Sequence, residues 1–436
     1  MEELVTAEDK TFAQSALEKV RVLQNKLHQA AKKDQKRTFG ILYDKVCEIE
    51  VLWVSWLRVQ KNKGAPGVDG RTILAIKEYG VIKFLQEIQK ELLSKQYKPS
   101  SVKRVYIRKS NGKLRPLGIP IVKDRVIQGA VNLIIEPIFE SNFLEGSYGF
   151  RPKRNCQDAI KAVRKWVTYG YRTVIDADIS SYFDTINHEI LLKLIQRRIR
   201  DKWIIRIIKG WLVHSVFKQD KTSLSDKGTP QGSVISPLLA NIYLHSLDKY
   251  WRQQHNEWDT QIVRYCDDFI ILIRDKDPFP YMESLKQMLS KLRLTLSEEK
   301  TEITEAEKGF NFLGVRMVLN KSRRSSDKQF CYGFPTRKSM SALRNKIRKE
   351  IGRDYQPSLA HKINYLNPIL RGWANYYNWL NSAIQFRKID RYVVRKLNLW
   401  NRVKHMAKKR KYEWLSTNEL HTQGLYKVSG HLSYSW

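Results

Sequence analysis

The chain has 436 residues, with 79 lysines and arginines against 44 aspartates and glutamates, and a formal net charge of +35. Hydrophobic residues make up 42% of it, which excludes a disordered chain and allows a sizeable core divided over two or three domains. No apolar run approaches the ~20 residues of a membrane helix, and the acidic N-terminus predicts no signal peptide. The charge therefore indicates a nucleic-acid partner and no membrane.

Cysteine and histidine are distributed in a way that argues against zinc modules and disulfides. The nine histidines form no pair at metal-ligand spacing, and no Cys-x-x-Cys motif occurs. Scattered cysteines are typical of a reducing compartment. The sequence therefore predicts a cytoplasmic protein, with free thiols at Cys47, Cys156, Cys266 and Cys331.

The first block, residues 1–60, is predicted to be a basic helical extension, because apolar residues such as Val20, Leu23 and Leu27 recur at helical spacing. The basic helical region is taken to run over residues 21–37. For any one of its charges, a solvated helix face and a phosphate contact are about equally good interpretations. The candidate RNA contacts are Lys32, Lys33, Lys36 and Arg37.

The second block, residues 61–320, is predicted to alternate strands and helices. Segments 102–107 and 114–119 are expected to pair as a hairpin around Asn111-Gly112, a dipeptide that favours tight turns. Two cations that flank such a turn can clamp a triphosphate. The candidate triphosphate contacts are Lys109 and Arg115, with Lys300 as a further cation.

Acidic residues end a predicted strand at two places in this block. The β-branched stretch from residue 173 ends in Asp176 and Asp178, ahead of a turn and a helix over residues 187–200. Asp184 is predicted to cap that helix. Residues 262–273 are predicted to form two short buried strands with an Asp-Asp pair at the tight turn between them.

Buried carboxylates are costly unless a cation neutralises them. Three carboxylates at strand ends can hold two Mg²⁺ ions roughly 3.5–4 Å apart, the arrangement used for in-line phosphoryl transfer. The alternative is that such acids cap turns or pair with lysines. Two acidic strand ends in a chain with a charge of +35 favour the metal site.

The loop over residues 228–237 combines glycines with Gln231 and runs into a predicted helix over residues 238–247. Small residues let the backbone approach a ligand, and a helix start favours anionic groups.

From residue 336 the pattern is helical and very basic. Residues 321–411 contain roughly two dozen lysines and arginines but few acids, with aromatic residues between them. This composition is suited to phosphate contacts with apolar anchoring, whereas Trp373, Tyr377 and Leu380, at helical spacing, are better interpreted as helix core. The candidate RNA contacts are Arg344, Arg348, Arg371, Arg391 and Arg395. Residues 321–411 are predicted to form a third domain, followed by a short tail over residues 412–436.

The order of these motifs resembles the reverse transcriptases that bacterial group II introns encode, over nearly the whole chain. The segment Tyr265-Cys266-Asp267-Asp268 is similar to the signature hairpin of this family. The other segments that carry the resemblance are 104–120, 124–128, 136–140 and 147–152 for the fingers, 176–188 for the first catalytic motif, 229–241 for the template and nucleotide motif, 310–314 for the primer grip, 371–377 for the thumb or maturase region, and the glycine-rich insertion 64–70.

The resemblance implies an α+β right-hand polymerase fold with fingers, a palm built on an antiparallel sheet and an α-helical thumb. It implies an RNA-directed DNA polymerase that binds intron RNA, assists splicing and uses target DNA as primer, with dNTPs as substrates. Two Mg²⁺ ions, which Mn²⁺ could replace, would be held by the catalytic acids Asp178, Asp267 and Asp268 and by the carbonyl of Ile179. The nucleotide contacts would be Lys109, Arg115, Ser180, Ser181, Gln231 and Lys300, with the ring of Phe183 excluding ribonucleotides.

Two features depart from the family pattern. Cys266 stands where alanine is common, and no Cys/His cluster like that of the family's endonuclease domain follows Lys411. Two alternatives remain open: a free-standing reverse transcriptase in DNA repair or phage defence, and a non-catalytic RNA-binding splicing cofactor. The sequence also leaves the choice between monomer and dimer open.

Overall fold

The computed structural model describes residues 7–108, 112, 114–213, 216–218, 221–223, 227–229, 232–322, 328–407 and 411–433. Within these ranges the helices are α1 (Ala7–Lys33), α2 (Tyr43–Val46), α3 (Ile49–Lys61), α4 (Ile73–Tyr79), α5 (Val81–Leu93), α6 (Val122–Glu140), α7 (Cys156–Thr168), α8 (Tyr182–Thr185), α9 (His188–Gln196), α10 (Lys202–Val213), α11 (Ser236–Gln254), α12 (Phe279–Lys291), α13 (Arg337–Ile351), α14 (Leu359–Tyr377), α15 (Ala383–Ala407) and α16 (Thr417–Thr422). The strands are β1 (Val102–Arg108), β2 (Leu114–Ile119), β3 (Thr173–Ala177), β4 (Val216–Lys218), β5 (Lys221–Ser223), β6 (Thr260–Tyr265), β7 (Asp268–Ile273), β8 (Glu302–Glu305), β9 (Phe310–Phe312), β10 (Val315–Lys321) and β11 (Gln329–Pro335).

The central sheet has the strand order β6-β7-β3-β8, and every pair in it is antiparallel. Strand β7 lies between two neighbours and is apolar from Phe269 to Ile273, as expected for a strand buried on both faces. Strands β6 and β7 form a hairpin in which Tyr265 pairs with Asp268. This confirms the prediction of two short buried strands with acids at the turn.

Side-chain alternation divides the central sheet between two hydrophobic cores. Ile175 and Ile271 belong to a core that includes the N-terminal helices and α6. Val174 and Ile270 belong to a second core built with α7, β9 to β11 and the C-terminal helices. The sheet is therefore a middle layer, and Asp176, which pairs with Ile270, faces the second core.

A second sheet contains the predicted hairpin. Its strand order is β2-β1-β4-β5, and β1 and β2 pair antiparallel along their whole length. Gly112 in the connection has φ +82°, a conformation that glycine adopts readily and that tight turns require. The hairpin is confirmed, while Asn111 lies outside the described residues. Helices on both sides of the central sheet, with strands that pair antiparallel except for β1 and β4, give a mixed α+β architecture.

Helix α1 confirms a helical N-terminal region but ends at Lys33, before Lys36 and Arg37. The guanidinium of Arg198 donates to the carbonyls of Ala31, at 3.1 Å, and Gln35, and so takes up acceptors at the helix end. The expectation of a basic helix over residues 21–37 was therefore too long. Its last four residues form a turn, closed by a hydrogen bond from the Arg37 amide to the Asp34 carbonyl at 3.2 Å.

The predicted helix over residues 187–200 is also shorter than expected. Helix α9 ends at Gln196, because Ile199 leaves the helix to form a parallel bridge with Phe39. The bridge is closed by hydrogen bonds from the Phe39 amide to the Arg198 carbonyl and from the Arg200 amide to the Phe39 carbonyl, both 2.7 Å. Contact with the N-terminal segment overrides the local helical pattern there.

The C-terminal helices α13, α14 and α15 pack on the third sheet, β11-β10-β9. The side chains of Tyr377 and Leu380 are buried and Trp373 packs against the same core, which confirms their interpretation as core, although Leu380 lies beyond the end of α14. The chain after α15 returns onto these helices, because the Asp390 carboxylate accepts the amides of Val428 and Ser429, both at 2.9 Å.

Candidate active site

The acids at the two strand ends meet around one ammonium group. Asp178 follows β3 directly, and Asp267 and Asp268 lie at the β6–β7 turn, beside it in the same sheet. The Nζ of Lys300 lies 2.7 Å from Oδ2 of Asp178. Asp178 raises the pKa of Lys300 most, and Asp268 and Asp267 add to the shift. All three carboxylates therefore act on the position that this cation occupies.

Burial and repulsion among the acids raise the pKa values of Asp268 and Asp176. Partial burial raises the pKa of Asp268 to about 6, with Asp267 and Asp178 adding to the shift, although the carboxylate stays solvent-accessible. Burial also raises the pKa of Asp176 to about 7, helped by Asp268, Glu302 and Asp178. A divalent cation would relieve this repulsion, so the donor set suits one in charge and chemistry. Among the described residues, however, no group of three His, Cys, Asp or Glu side chains is already arranged to coordinate a metal.

The backbone next to Asp178 is fixed by a short antiparallel bridge. The Ser180 amide donates to the Thr295 carbonyl at 2.9 Å, and the Ser297 amide donates to the Asp178 carbonyl at 2.8 Å. Ile179 pairs with Leu296 between these two bonds. In such a pair the peptide groups of the central residue point away from the partner strand, so the Ile179 carbonyl stays out of the bridge.

The segment with Phe183 is held from both sides. Ser181 has φ +47°, and the buried Tyr182 hydroxyl donates to the Ala240 carbonyl at 2.6 Å. The Phe183 carbonyl accepts the Thr229 amide at 2.7 Å, so the loop before α11 lies directly beside it. The Phe183 ring is half-buried and packs edge-on against Tyr182, with 5.4 Å between the ring centroids.

Asp184 does not cap the following helix, and that prediction was wrong. The N-cap of α9 is Asn187, whose side-chain oxygen accepts the Ile190 amide at 3.1 Å. Asp184 lies one turn earlier, inside the short helix α8. Asparagine immediately before the helix is an equally strong cap, and it stands at the right position for the N3 amide.

The predicted nucleotide contacts are only partly visible. Lys109 and Gln231 lie outside the described residues, and Arg115 is an exposed residue of β2. Gly232 has φ +112°, and a Cβ there would lie 2.7 Å from the Gly118 carbonyl, so the loop that follows Gln231 touches β2. Ser233 donates to Gln128 on α6 at 2.8 Å and anchors the same loop. Arg115 and this loop are thus parts of one surface.

Sequence analysis missed the side chain that holds the acidic turn. Arg264 is fully buried in β6 and forms an ion pair with Asp248 of α11, with 2.5 Å between Nη2 and Oδ2. It also donates to Asn241 Oδ1 at 3.1 Å, to Ser147 Oγ at 2.8 Å and to the Cys266 carbonyl at 2.9 Å. The last bond reaches the turn that carries Asp267. An arginine inside an apolar strand was the available signal, because a buried guanidinium needs partners.

A segment from residue 146 supports the same turn from the sheet edge. The Arg264 amide donates to the Gly146 carbonyl, and the Tyr148 amide donates to the Arg264 carbonyl, both at 2.8 Å. A Cβ on Gly149 would lie 2.4 Å from the Cys266 nitrogen, so only glycine fits there. Cys266 itself has φ +62° and is buried, and burial raises the pKa of its thiol. The thiol that departs from the family pattern therefore packs inward.

Most of the predicted RNA contacts are exposed and lack acidic partners. No salt bridge within the described ranges involves any of them. Arg344 is half-buried, and its guanidinium lies 5.6 Å from the ring centroid of Tyr392. The guanidinium of Arg371 lies 5.4 Å from the ring centroid of Tyr426. The exposed side chains are those of Lys32, Lys33, Lys36, Arg37, Arg348, Arg371, Arg391 and Arg395.

Among the helices of the described ranges, none combines the length and apolar character needed to cross a bilayer.

Two family models match the chain. Residues 107–317 match the model described as reverse transcriptase (RNA-dependent DNA polymerase), and residues 340–417 match the group II intron, maturase-specific domain. The first match includes all three acids and Lys300, and the second includes most of α13 and all of α14 and α15.

Three curated relatives are similar to parts of this chain. The chain is 36% identical over 302 residues to protein YkfC of Escherichia coli strain K12, a match that covers 60% of this chain and 78% of YkfC. It is 32% identical over 349 residues to the group II intron-encoded protein LtrA of Lactococcus lactis subsp. cremoris, covering 65% of this chain and 57% of LtrA. Nuclear intron maturase 1 of Arabidopsis thaliana is 29% identical over 126 residues, covering 28% of this chain and 18% of that protein.

Proposed function

The chain belongs to the reverse transcriptases and maturases that group II introns encode, and from this premise we propose that it copies RNA into DNA and assists the splicing of an intron RNA. The observation that carries the proposal is the convergence of Asp178, Asp267 and Asp268 on the Lys300 ammonium. Extension of a DNA primer along an RNA template tests it. In this family the primer would be target DNA, so that synthesis starts at the insertion site.

The layers of the fold fit the parts of a right-hand polymerase. The central sheet would be the palm, the β1–β2 hairpin with the helices packed around α6 the fingers, and the C-terminal helices the thumb. The proposed domains are residues 1–60, 61–320, 321–411 and 412–436. The last of these packs on the thumb through Asp390.

Two Mg²⁺ ions would be held by Asp178, Asp267, Asp268 and the carbonyl of Ile179. Bound there, they would supply activation of the primer 3′-hydroxyl and neutralise charge on the leaving pyrophosphate. The Lys300 side chain is 63% exposed, so it can release Asp178 and turn to the incoming triphosphate. Lys109 and Arg115 would hold that triphosphate from the fingers hairpin, while Ser180, Ser181 and Gln231 would line the nucleotide pocket.

Phe183 would exclude ribonucleotides, because its ring would occupy the space of a 2′-hydroxyl. Phe183→Val should raise ribonucleotide incorporation relative to deoxynucleotide incorporation by about 10- to 100-fold, since a steric clash is the proposed basis of discrimination. The measurement is kcat/KM for each nucleotide class on one RNA template. Phe279→Val, at an exposed position of α12, is the matched control and should leave the ratio unchanged. Equal discrimination by the parent and Phe183→Val would place the selection elsewhere.

The basic residues at the two ends of the chain would grip structured RNA outside the catalytic cleft. Folded RNA presents A-form backbone that proteins recognise by shape and phosphate position. The exposed charges near the end of α1 and on the thumb helices fit such a surface.

Reversing the charge of Lys32, Lys33, Lys36 and Arg37 together should weaken intron RNA binding by about 10-fold or more and flatten its salt dependence, because phosphate contacts are lost. Extension of a short primer-template should change little. Filter binding over a salt series and primer extension measure the two effects. The control reverses the charge of four exposed lysines. Lys249 lies on α11, Lys286 and Lys291 lie on α12, and Lys276 lies just before α12.

Three outcomes separate the interpretations of this surface. A selective loss of intron RNA binding supports a maturase surface. A parallel loss of intron RNA binding and primer extension indicates that these residues bind the primer-template. If neither activity falls, the N-terminal charges are a solvated face and a free-standing reverse transcriptase becomes the better account.

A further inference from the structure

Two adjacent tyrosines of α14 hold the turn between β9 and β10. The Tyr376 hydroxyl donates to the Leu313 carbonyl at 2.8 Å, and the Tyr377 hydroxyl donates to the Gly314 carbonyl at 3.1 Å. The turn needs such support, because Leu313 has φ +47° and Gly314 has φ +77°. A leucine in the left-handed region is a strained conformation that persists only where its surroundings stabilise it.

The bond from Tyr377 is the end of a chain of hydrogen bonds with a fixed direction. The Trp373 indole can only donate, and it donates to Ser339 Oγ at 3.1 Å. A carbonyl can only accept, so Tyr377 must donate to Gly314. Ser339, 2.8 Å from the Tyr377 hydroxyl, is then left to donate to that hydroxyl. The side chains of Trp373, Ser339 and Tyr377 thus together fix the position of the Gly314 carbonyl.

Tyr376 also packs on the core that supports the catalytic hairpin. Tyr376 and Tyr265, which precedes Cys266 in the signature, both pack against the core built with α7, β9 to β11 and the C-terminal helices. The β9–β10 turn and the catalytic hairpin are therefore supported by one core.

We propose that Tyr376 and Tyr377 are positioning residues for the primer: their hydroxyls fix the turn at Leu313 and Gly314 so that it places the primer 3′ end at the acidic cluster. This rests on the proposed polymerase function and on the resemblance of residues 310–314 to a primer grip. It gives residues of the matched maturase-specific domain a role in polymerisation. The thumb is then coupled to the β9–β10 turn through hydrogen bonds as well as through packing.

Tyr376→Phe and Tyr377→Phe remove one hydroxyl each and keep the ring. Each should raise KM for the primer-template about three- to tenfold, the effect of one hydrogen bond, and the double variant should raise it further. The kcat at saturating primer-template, the KM for dNTPs and the affinity for RNA without primer should change little. Steady-state extension with the primer-template titrated, together with binding of unprimed RNA, measures these quantities.

Tyr43→Phe is the matched control. Its hydroxyl donates to the Leu92 carbonyl at 2.7 Å, far from the thumb, so it loses an equivalent bond with a similar effect on stability. It should leave the primer-template KM unchanged. If Tyr43→Phe raises that KM as much as the thumb variants do, the effect is only loss of stability and the proposal is overturned. The proposal is also overturned if the parent is active and all the thumb variants have the same primer-template KM as the parent. If the parent extends no primer, the polymerase assignment is overturned together with the proposal.

Discussion

Replacing Asp178, Asp267 or Asp268 by alanine is expected to reduce primer extension by about 10³-fold or more, because each carboxylate would hold metal whose charge stabilisation supplies several kcal/mol. RNA affinity should stay close to that of the parent, since it depends on the far more numerous lysines and arginines. The two measurements are primer extension on an RNA template with Mg²⁺ and binding of the same RNA. Loss of extension with retained binding separates catalysis from substrate recognition.

Glu299→Ala is the control for this series. Glu299 is an exposed acid directly beside Lys300, so its removal changes the local charge without removing a predicted ligand. It should retain extension. The Asp268→Ala variant should melt no lower than the parent in the absence of metal, because burial raises the pKa of Asp268 and the neighbouring Asp267 and Asp178 add to the shift by repulsion. Full activity in any of the three variants would show that the ligand set is wrong.

Breaking the buried pair of Arg264 and Asp248 is expected to lower the free energy of unfolding by about 3–5 kcal/mol, because the remaining partner becomes a buried and uncompensated charge. Arg264→Met leaves the Asp248 carboxylate buried and frees the Cys266 carbonyl, so extension should also fall in the protein that remains folded. Denaturant unfolding and extension per folded molecule measure the two effects.

Two further variants test the physical cause. Lys193→Met breaks an exposed pair with Glu189 on α9 and should leave the free energy of unfolding close to that of the parent, because solvent screens such a pair. The double variant Arg264→Met with Asp248→Leu removes both buried charges and should be more stable than Arg264→Met alone. If Arg264→Met and Lys193→Met unfold at the same denaturant concentration, the buried pair does not hold the hairpin.

Local sequence patterns predicted the parts of the site that are built locally. The apolar strands around Asp267 and Asp268 lie within residues 260–273, and the β1–β2 hairpin with Gly112 in its turn lies within residues 102–119. Alternation and turn preference are properties of such short stretches. The assignment of Trp373 and Tyr377 to a core was also local, because helical spacing places them on one face of α14.

The parts that sequence analysis missed depend on contacts between distant residues. Lys300 was recognised as a candidate cation, but its position on Asp178 brings together residues 122 apart. Arg264 reaches Ser147, 117 residues away, and nothing in β6 alone identifies that partner. Charges and hydroxyls carry no periodic signal, so the network that fixes the acidic turn appears only when the elements are packed.

The errors at helix ends have the same origin. The Arg198 guanidinium caps α1 from 167 residues away, and the bridge between Phe39 and Ile199 ends α9 early. The error at Asp184 was instead local, since Asn187 competes for the same helix and stands closer to its start.

RNA-directed DNA synthesis is tested most directly by extension of a DNA primer annealed to an RNA template by the unaltered protein, with Mg²⁺ and all four dNTPs, followed by sequencing of the product. A DNA product complementary to the RNA is expected, and it should be absent when Asp267→Ala replaces the parent. A parent that binds the RNA but adds no nucleotide to the primer would contradict it, and would favour a non-catalytic RNA-binding splicing cofactor.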